Sequence, residues 1–183
     1  MRDMTSFADA QRDMRYAYFN GAVGAVASAT AWLASALVAT LVSSTGGIVS
    51  LIIGGMLIFP ASVMVCRFAG RPGKHSEGNP LAPLAIEGTI WMLLSILIAV
   101  GVAFYRVEWF FPAMLLVIGG RYFSFATLYG LRIYWVFGTT LATAGIVLAA
   151  LEAPVAACAF AGTVIEYAFG VGLFRLQPDT RES

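Results

Sequence analysis

One stretch decides the fold: "AYFNGAVGAVASATAWLASALVATLVSSTGGIVSLIIGGMLIFPASVMVC" (Ala17–Cys66), fifty residues without a single Asp, Glu, Lys or Arg. A bilayer-spanning helix needs about 20 predominantly apolar residues, so the block holds two spans. "SSTGG" (Ser43–Gly47) reverses the chain between them, glycine supplying the backbone freedom of a tight connection. The rest of the chain continues the pattern. Of 183 residues, 60% are hydrophobic and 11% charged, with mean hydropathy +0.83. A soluble domain carries roughly 25% charged residues, so this chain cannot cover itself with a polar surface. The expected fold is all-α, an integral membrane bundle of six transmembrane helices in one domain over residues 1–183. The spans fall at about 17–42, 47–66, 84–105, 109–130, 132–151 and 154–174, with Pro60 bending the second.

The opening "MRDMTSFADAQRDMRY" reads as a short amphipathic helix, with Met4, Phe7, Ala8, Gln11 and Met14 near one face and Ser6 and Asp9 forming a cap. Such a helix suits a membrane surface; the alternative is a frayed polar tail. "ASA" at Ala27–Ala29 has the look of a signal-peptide cleavage site, but the apolar run continues to about Val42, past the 7–15 residues of a signal core. An uncleaved first span is expected. "RFAGRPGKHSEGNPLAP" (Arg67–Pro83) is the one substantial loop.

Six alternating spans put Arg2, Arg12, Arg15, Arg67, Arg71, Lys74, Arg132, Arg175 and Arg181 on one side and only Arg106 on the other. Positive charge marks the cytoplasmic side, which predicts an inner-membrane protein with both termini cytoplasmic. Tyr105, Trp109, Phe110 and Phe111 at the outer boundary, and Tyr16, Tyr18, Tyr129, Tyr134 and Trp135 at the inner one, read as interfacial anchors. Small residues recur every fourth position at Ala27, Ala31, Ser35 and Ala39, and Cys158, Gly162, Glu166 and Gly170 form a similar row. Both rows should face protein, because small residues let helix backbones approach closely. Cys66 and Cys158 fall near opposite faces and so should not be bonded, since a disulfide needs Cα atoms within about 7 Å. The two halves carry no matching motifs of an inverted repeat.

Arg121 is the anomaly. It lies twelve residues after Trp109, roughly 18 Å into a core about 30 Å thick, where an unpaired arginine costs at least about 2.5 kcal/mol. Glu166 lies twelve residues after Pro154 on a span running the same way, so the two come out at equal depth. The expectation is an Arg121–Glu166 pair at the polar centre of the bundle, with Glu87 as the rival partner. Tyr122 and Tyr129 join them as candidate ligand-binding residues. Gly119 and Gly120 before the arginine either loosen the helix, as in transporter binding sites, or let a neighbour pack closely.

No HExxH, GxSxG or phosphate-binding loop is present, and the single histidine, His75, sits in the polar loop with Glu77 and Asn79. The expected protein is therefore no enzyme and has no cofactor and no metal. Net charge +1 without a basic patch argues against nucleic acid. The partners expected are the lipid bilayer, a small solute or ion, and a second copy or another membrane protein. Two functions remain open. One is binding or transport of a small solute or ion through the Arg–Glu centre, and the other is a non-catalytic structural or accessory subunit in which that pair is a packing clamp. In "AQRDMRYAYFNGAVG", "GKHSEGNPL", "EWFFPAML" and "LYGLR" the chain resembles uncharacterised small bacterial polytopic inner-membrane proteins. That resemblance implies the architecture and no site.

Overall fold

The computed structural model describes residues 6–176. Its helices are α1 (Phe7–Tyr18), α2 (Ala22–Leu41), α3 (Ser44–Phe68), α4 (Ala82–Tyr105), α5 (Phe110–Tyr129), α6 (Ile133–Ala150) and α7 (Val155–Arg175), with single 3-10 turns at Phe19–Gly21 and Val107–Trp109. From α2 onward there are six helices long and apolar enough to cross a membrane, each within a few residues of its expected span apart from the start of the first. The chain is a multi-pass membrane protein. Both cysteines are free, as their positions at opposite faces require. α3 runs unbroken through Pro60.

Two three-helix groups make the bundle: α2 lies along α3 and α7, while α5 lies along α6 and α4. The small-residue rows set the first group. A Cβ on Gly47 would meet Ala39 at 2.6 Å, one on Gly54 would meet Ala31 at 2.8 Å, and the Ser35 hydroxyl donates to the Gly47 carbonyl at 2.7 Å. The row on α7 faces α2 from the other side, with Gly162 against the Trp32 ring and Gly170 against Val26. Between the two groups the space is filled by large rings, including Trp32, Phe110, Phe111, Tyr134 and Phe137, all at most 1% exposed.

This packing corrects the aromatic belt. Tyr105, Trp109 and Trp135 are exposed as anchors should be, but Phe110, Phe111, Tyr129 and Tyr134 point into the interior. Proximity to a boundary in sequence does not set the direction of a side chain.

α1 is not a helix lying free on lipid. It crosses the end of the bundle with Ala10, Met14 and Ala17 buried, while Phe7 is exposed. Met4, expected on the apolar face, lies outside the described residues. Ser6 caps the helix as expected, accepting from the Asp9 amide. Side chains then latch α1 down. Gln11 donates to the Thr127 carbonyl at 2.7 Å and Arg15 to that of Tyr129. The Asp13 carboxylate accepts from the Ser76 amide at 2.9 Å, the Ser76 hydroxyl at 2.7 Å and Asn79 at 2.8 Å. Asn79 is the buried anchor of the long loop, also donating to the Ala10 carbonyl and accepting from the Leu81 amide.

Burial pushes the Asp13 carboxyl up, but the hydrogen bonds from Asn79 and Ser76, with His75 nearby, outweigh it and hold the group below its ordinary value. A depressed carboxylate stabilises docking fully above the unfolded value of about 3.9 and loses that contribution as pH falls through the lower folded value. Acidification into that window should release α1, read as protease cleavage within Phe7–Tyr18. Asp13→Asn should weaken the latch by about 1.5 kcal/mol at neutral pH, the low end for a bond to a charged group because the site is half-buried, and abolish the acid step. Cleavage with the same acid profile in both proteins would refute the latch.

The first span starts later than expected, at Ala22, because Phe19, Asn20 and Gly21 all have left-handed backbones (φ 52°, 57° and 83°). This turn separates α1 from α2. Only glycine fits its last position, since a Cβ on Gly21 would collide with the Tyr134 hydroxyl. The Asn-Gly dipeptide is the sequence signal for it.

Candidate functional site

α5 carries a row, Leu115, Gly119, Tyr122, Ala126 and Tyr129, whose members are all buried. The 3–4 spacing puts them on one face, turned toward α6 and α7. Tyr122 stacks on Phe137 with centroids 3.8 Å apart, and Phe137 stacks on Phe169 at 4.4 Å. Tyr134 stacks on both Tyr122 (5.8 Å) and Tyr129 (5.5 Å), with the Phe125 edge against all three tyrosines. α5, α6 and α7 thus share an aromatic column.

Glu166 sits at one side of this column on α7, 0% exposed. The hydroxyls of Ser28 on α2 and Tyr122 on α5 face it, yet neither carboxylate oxygen has a hydrogen bond of ordinary geometry. Buried charges are normally paired and buried polar groups normally bonded. A carboxylate enclosed midway along an apolar helix needs a proton or another cation, and its protein neighbours supply no cationic side chain.

Arg121 is not that partner. A helix turns about 100° per residue, so Arg121 points away from the Tyr122 face and toward α4. Its Nη2 donates to the Thr89 hydroxyl at 3.0 Å, its guanidinium lies 5.0 Å from the Phe125 ring centre, and its Nη1 rests against Gly88 without an acceptor. Among the described residues no ion pair joins it to Glu166 or to Glu87, and Glu87 is exposed on α4. The expected Arg121–Glu166 pair is therefore corrected to two separate polar groups, with Tyr122 between them as neighbour to both. The two side chains leave their helices on different faces.

The same geometry yields a test. Arg121→Met and Thr89→Val should couple in a double-mutant cycle of thermal stability by about 1.5 kcal/mol or more, as a hydrogen bond to a charged group does. Arg121→Met and Glu166→Gln should add within about 0.5 kcal/mol. Strong coupling of the second pair would restore the ion pair.

Gly119 does not loosen α5, which is continuous; it lets α6 approach, with the Gly138 carbonyl 2.8 Å from where a Cβ would be. Asn20, Ser28, Thr89 and Tyr134 were not expected at the site. Asn20 is 2% exposed, accepts the Tyr134 hydroxyl on its carbonyl and leaves its side-chain nitrogen unpartnered. Asn20 falls within the expected first span, and Tyr134 among the expected interfacial aromatics; nothing local marks either as interior. On the opposite face Arg106 bridges Glu152 (3.4 Å) and Glu108 (3.9 Å) across the α4–α5 and α6–α7 connections. Among the described residues no three His, Cys, Asp or Glu side chains come together as a metal site would need.

A protein-family model matches residues 7–176, with the description "Family of unknown function (DUF7010)". No curated protein and no solved structure matches the chain.

Proposed function

The chain belongs to that family, and from the site itself we propose that it is a small membrane-embedded binding or transport bundle for a small solute or ion, with Glu166 as the binding carboxylate. One observation carries the reading: a fully buried carboxylate midway along α7, faced by the Ser28 and Tyr122 hydroxyls but with neither oxygen in a hydrogen bond of ordinary geometry. Ionisable groups inside a bilayer are expensive and mark pathways or binding sites. The unpartnered nitrogens of Asn20 and Arg121, and the tyrosines 122, 129 and 134 between them, support a polar interior with unused hydrogen-bonding capacity. The role is non-catalytic. The basic count supports an inner-membrane location with both termini cytoplasmic, because α1, the Arg67–Leu81 loop and the α5–α6 connection gather at one end.

A structural or accessory role is the second reading. It is favoured by the close packing around Glu166, where the aromatic column leaves the carboxylate no exposed surface. Two measurements part the readings: thermal stability of the purified chain, and flux in proteoliposomes, across a panel of alkali cations, small organic cations and neutral solutes at several pH values. Binding predicts stabilisation by one panel member or by pH, lost in Glu166→Gln. A response identical in Glu166→Gln would favour the accessory role.

A further inference from the structure

At the end of the bundle away from α1 the chain is almost without charge. The α2–α3 connection has none, the α4–α5 connection has Arg106 and Glu108, and the α6–α7 connection has Glu152. All three charges line one cavity of about 210 Å³, with Trp109, Pro112, Leu148 and Ala153 supplying apolar wall. Two connections far apart in the chain thus bring every charged residue of that end to one place. The charges do not satisfy one another. The Arg106 guanidinium reaches Glu152 at 3.4 Å and Glu108 at 3.9 Å, against about 2.8 Å for a tight charge-assisted bond. Only the Glu152 contact is a hydrogen bond, so both Glu108 oxygens and the second Glu152 oxygen accept nothing from the described residues. One arginine against two carboxylates leaves a surplus of one negative charge. Exposed ion pairs this loose add little to stability, which leaves a strap between the connections a poor account of the trio. Glu152 also holds a left-handed backbone (φ 48°) that glycine would adopt more easily, so the turn gives no reason of its own for a carboxylate.

We propose that this cavity is a second binding site, separate from Glu166, that takes a primary ammonium group on a short apolar stem. The ammonium N–H groups donate to the free oxygens of Glu108 and Glu152, and the positive charge neutralises the surplus. The stem lies on Pro112, Leu148 and Ala153. A quaternary ammonium has no N–H to donate and is held by cages of several rings, whereas a single aromatic ring, that of Trp109, lines this cavity. A hard divalent cation takes six or more oxygens, and Arg106 beside both carboxylates repels it. The same ammonium chemistry has two sources. One is a free amine; the other is the ethanolamine headgroup of a phospholipid, because the cavity lies where the spans end, and there Arg106 meets the lipid phosphate.

The test is calorimetric titration of butylammonium chloride into the full chain in detergent, beside tetramethylammonium chloride and sodium chloride at equal ionic strength. For the lipid source, native mass spectrometry follows which lipid the chain retains from an equal mixture of phosphatidylethanolamine and phosphatidylcholine. Butylammonium should bind, or the ethanolamine lipid be retained over the choline lipid. Glu108→Gln and Glu152→Gln should each weaken this by about tenfold or more, since a hydrogen bond to a charged group is lost. Glu77→Gln, the same charge change in the loop at the α1 end, should leave it unaltered. Arg106→Gln separates the sources: it strengthens butylammonium binding by removing a like charge, and it weakens retention of the ethanolamine lipid by removing the partner of the phosphate. Unmodified protein that neither binds butylammonium nor prefers the ethanolamine lipid overturns the proposal, and this arm depends on no variant folding. Tetramethylammonium binding as tightly as butylammonium overturns the primary-ammonium class. Binding that Glu166→Gln removes while both other glutamate variants keep it would place the amine at Glu166 and overturn this site.

Discussion

Gly138→Val should unfold the bundle at markedly lower temperature, by the equivalent of about 3 kcal/mol, the upper end for overpacking a filled interior. A Cβ there would lie 2.7 Å from both the Gly119 carbonyl oxygen and the Phe123 ring. Gly119 is no more forgiving, with the Gly138 carbonyl at 2.8 Å and the Ala142 amide at 3.1 Å. The Gly119 carbonyl is a backbone obstacle, so a rotamer change of Phe123 alone does not relieve the clash and the two helices must separate. Separation strands the aromatic column, because Tyr122 and Phe137 meet across this same crossing. Gly120, one residue along, has nothing within 4 Å, and Gly120→Ala should instead be neutral or stabilising by about 0.5 kcal/mol, since glycine inside a helix is unfavourable. Thermal melts in detergent check both. Equal losses at Gly120 and Gly138 would mean that the crossing does not hold the two helices together.

Glu166→Met should raise stability by about 1–3 kcal/mol, the usual penalty of a buried polar group without a partner, while abolishing whatever Glu166 binds. The flexible thioether chain fills a similar volume among Ser28, Tyr122 and the neighbouring rings. A gain in stability at the expense of activity is the pattern of a site kept polar for function. A loss of stability in melts of Glu166→Met would instead mean that the carboxylate is held by the protein, and would sustain the accessory role. Arg121→Met carries no such expectation, because the guanidinium has a partner in Thr89 and its loss removes a hydrogen bond.

The two variants probe parts of the molecule that differed in how openly the sequence displayed them. Small residues at every fourth position announced faces that meet protein, and Gly162 and Gly170 do lie against α2. The Arg121–Glu166 pairing failed because a depth argument does not fix the helix face: Tyr122 and Arg121 are adjacent in sequence and point about 100° apart. The buried row through Gly119, Tyr122, Ala126 and Tyr129 carried that angle, since a helix face is set by the spacing of its small and aromatic residues as well as by its charges.

By itself, the sequence determined the number of spans, their limits and the separation of one basic end, because each depends only on run length, on hydropathy and on where charge interrupts it. The break between α1 and α2 at Phe19–Gly21 was not legible in the apolar run, which continues across it. Tertiary structure alone decided which helices touch, which face of α5 looks toward α7, and that α1 folds back over the loop through Asp13 and Asn79. Within a bilayer almost every helix surface is apolar, so polarity no longer separates inside from outside. The choice falls to side-chain volume and close backbone approach between residues far apart in the chain.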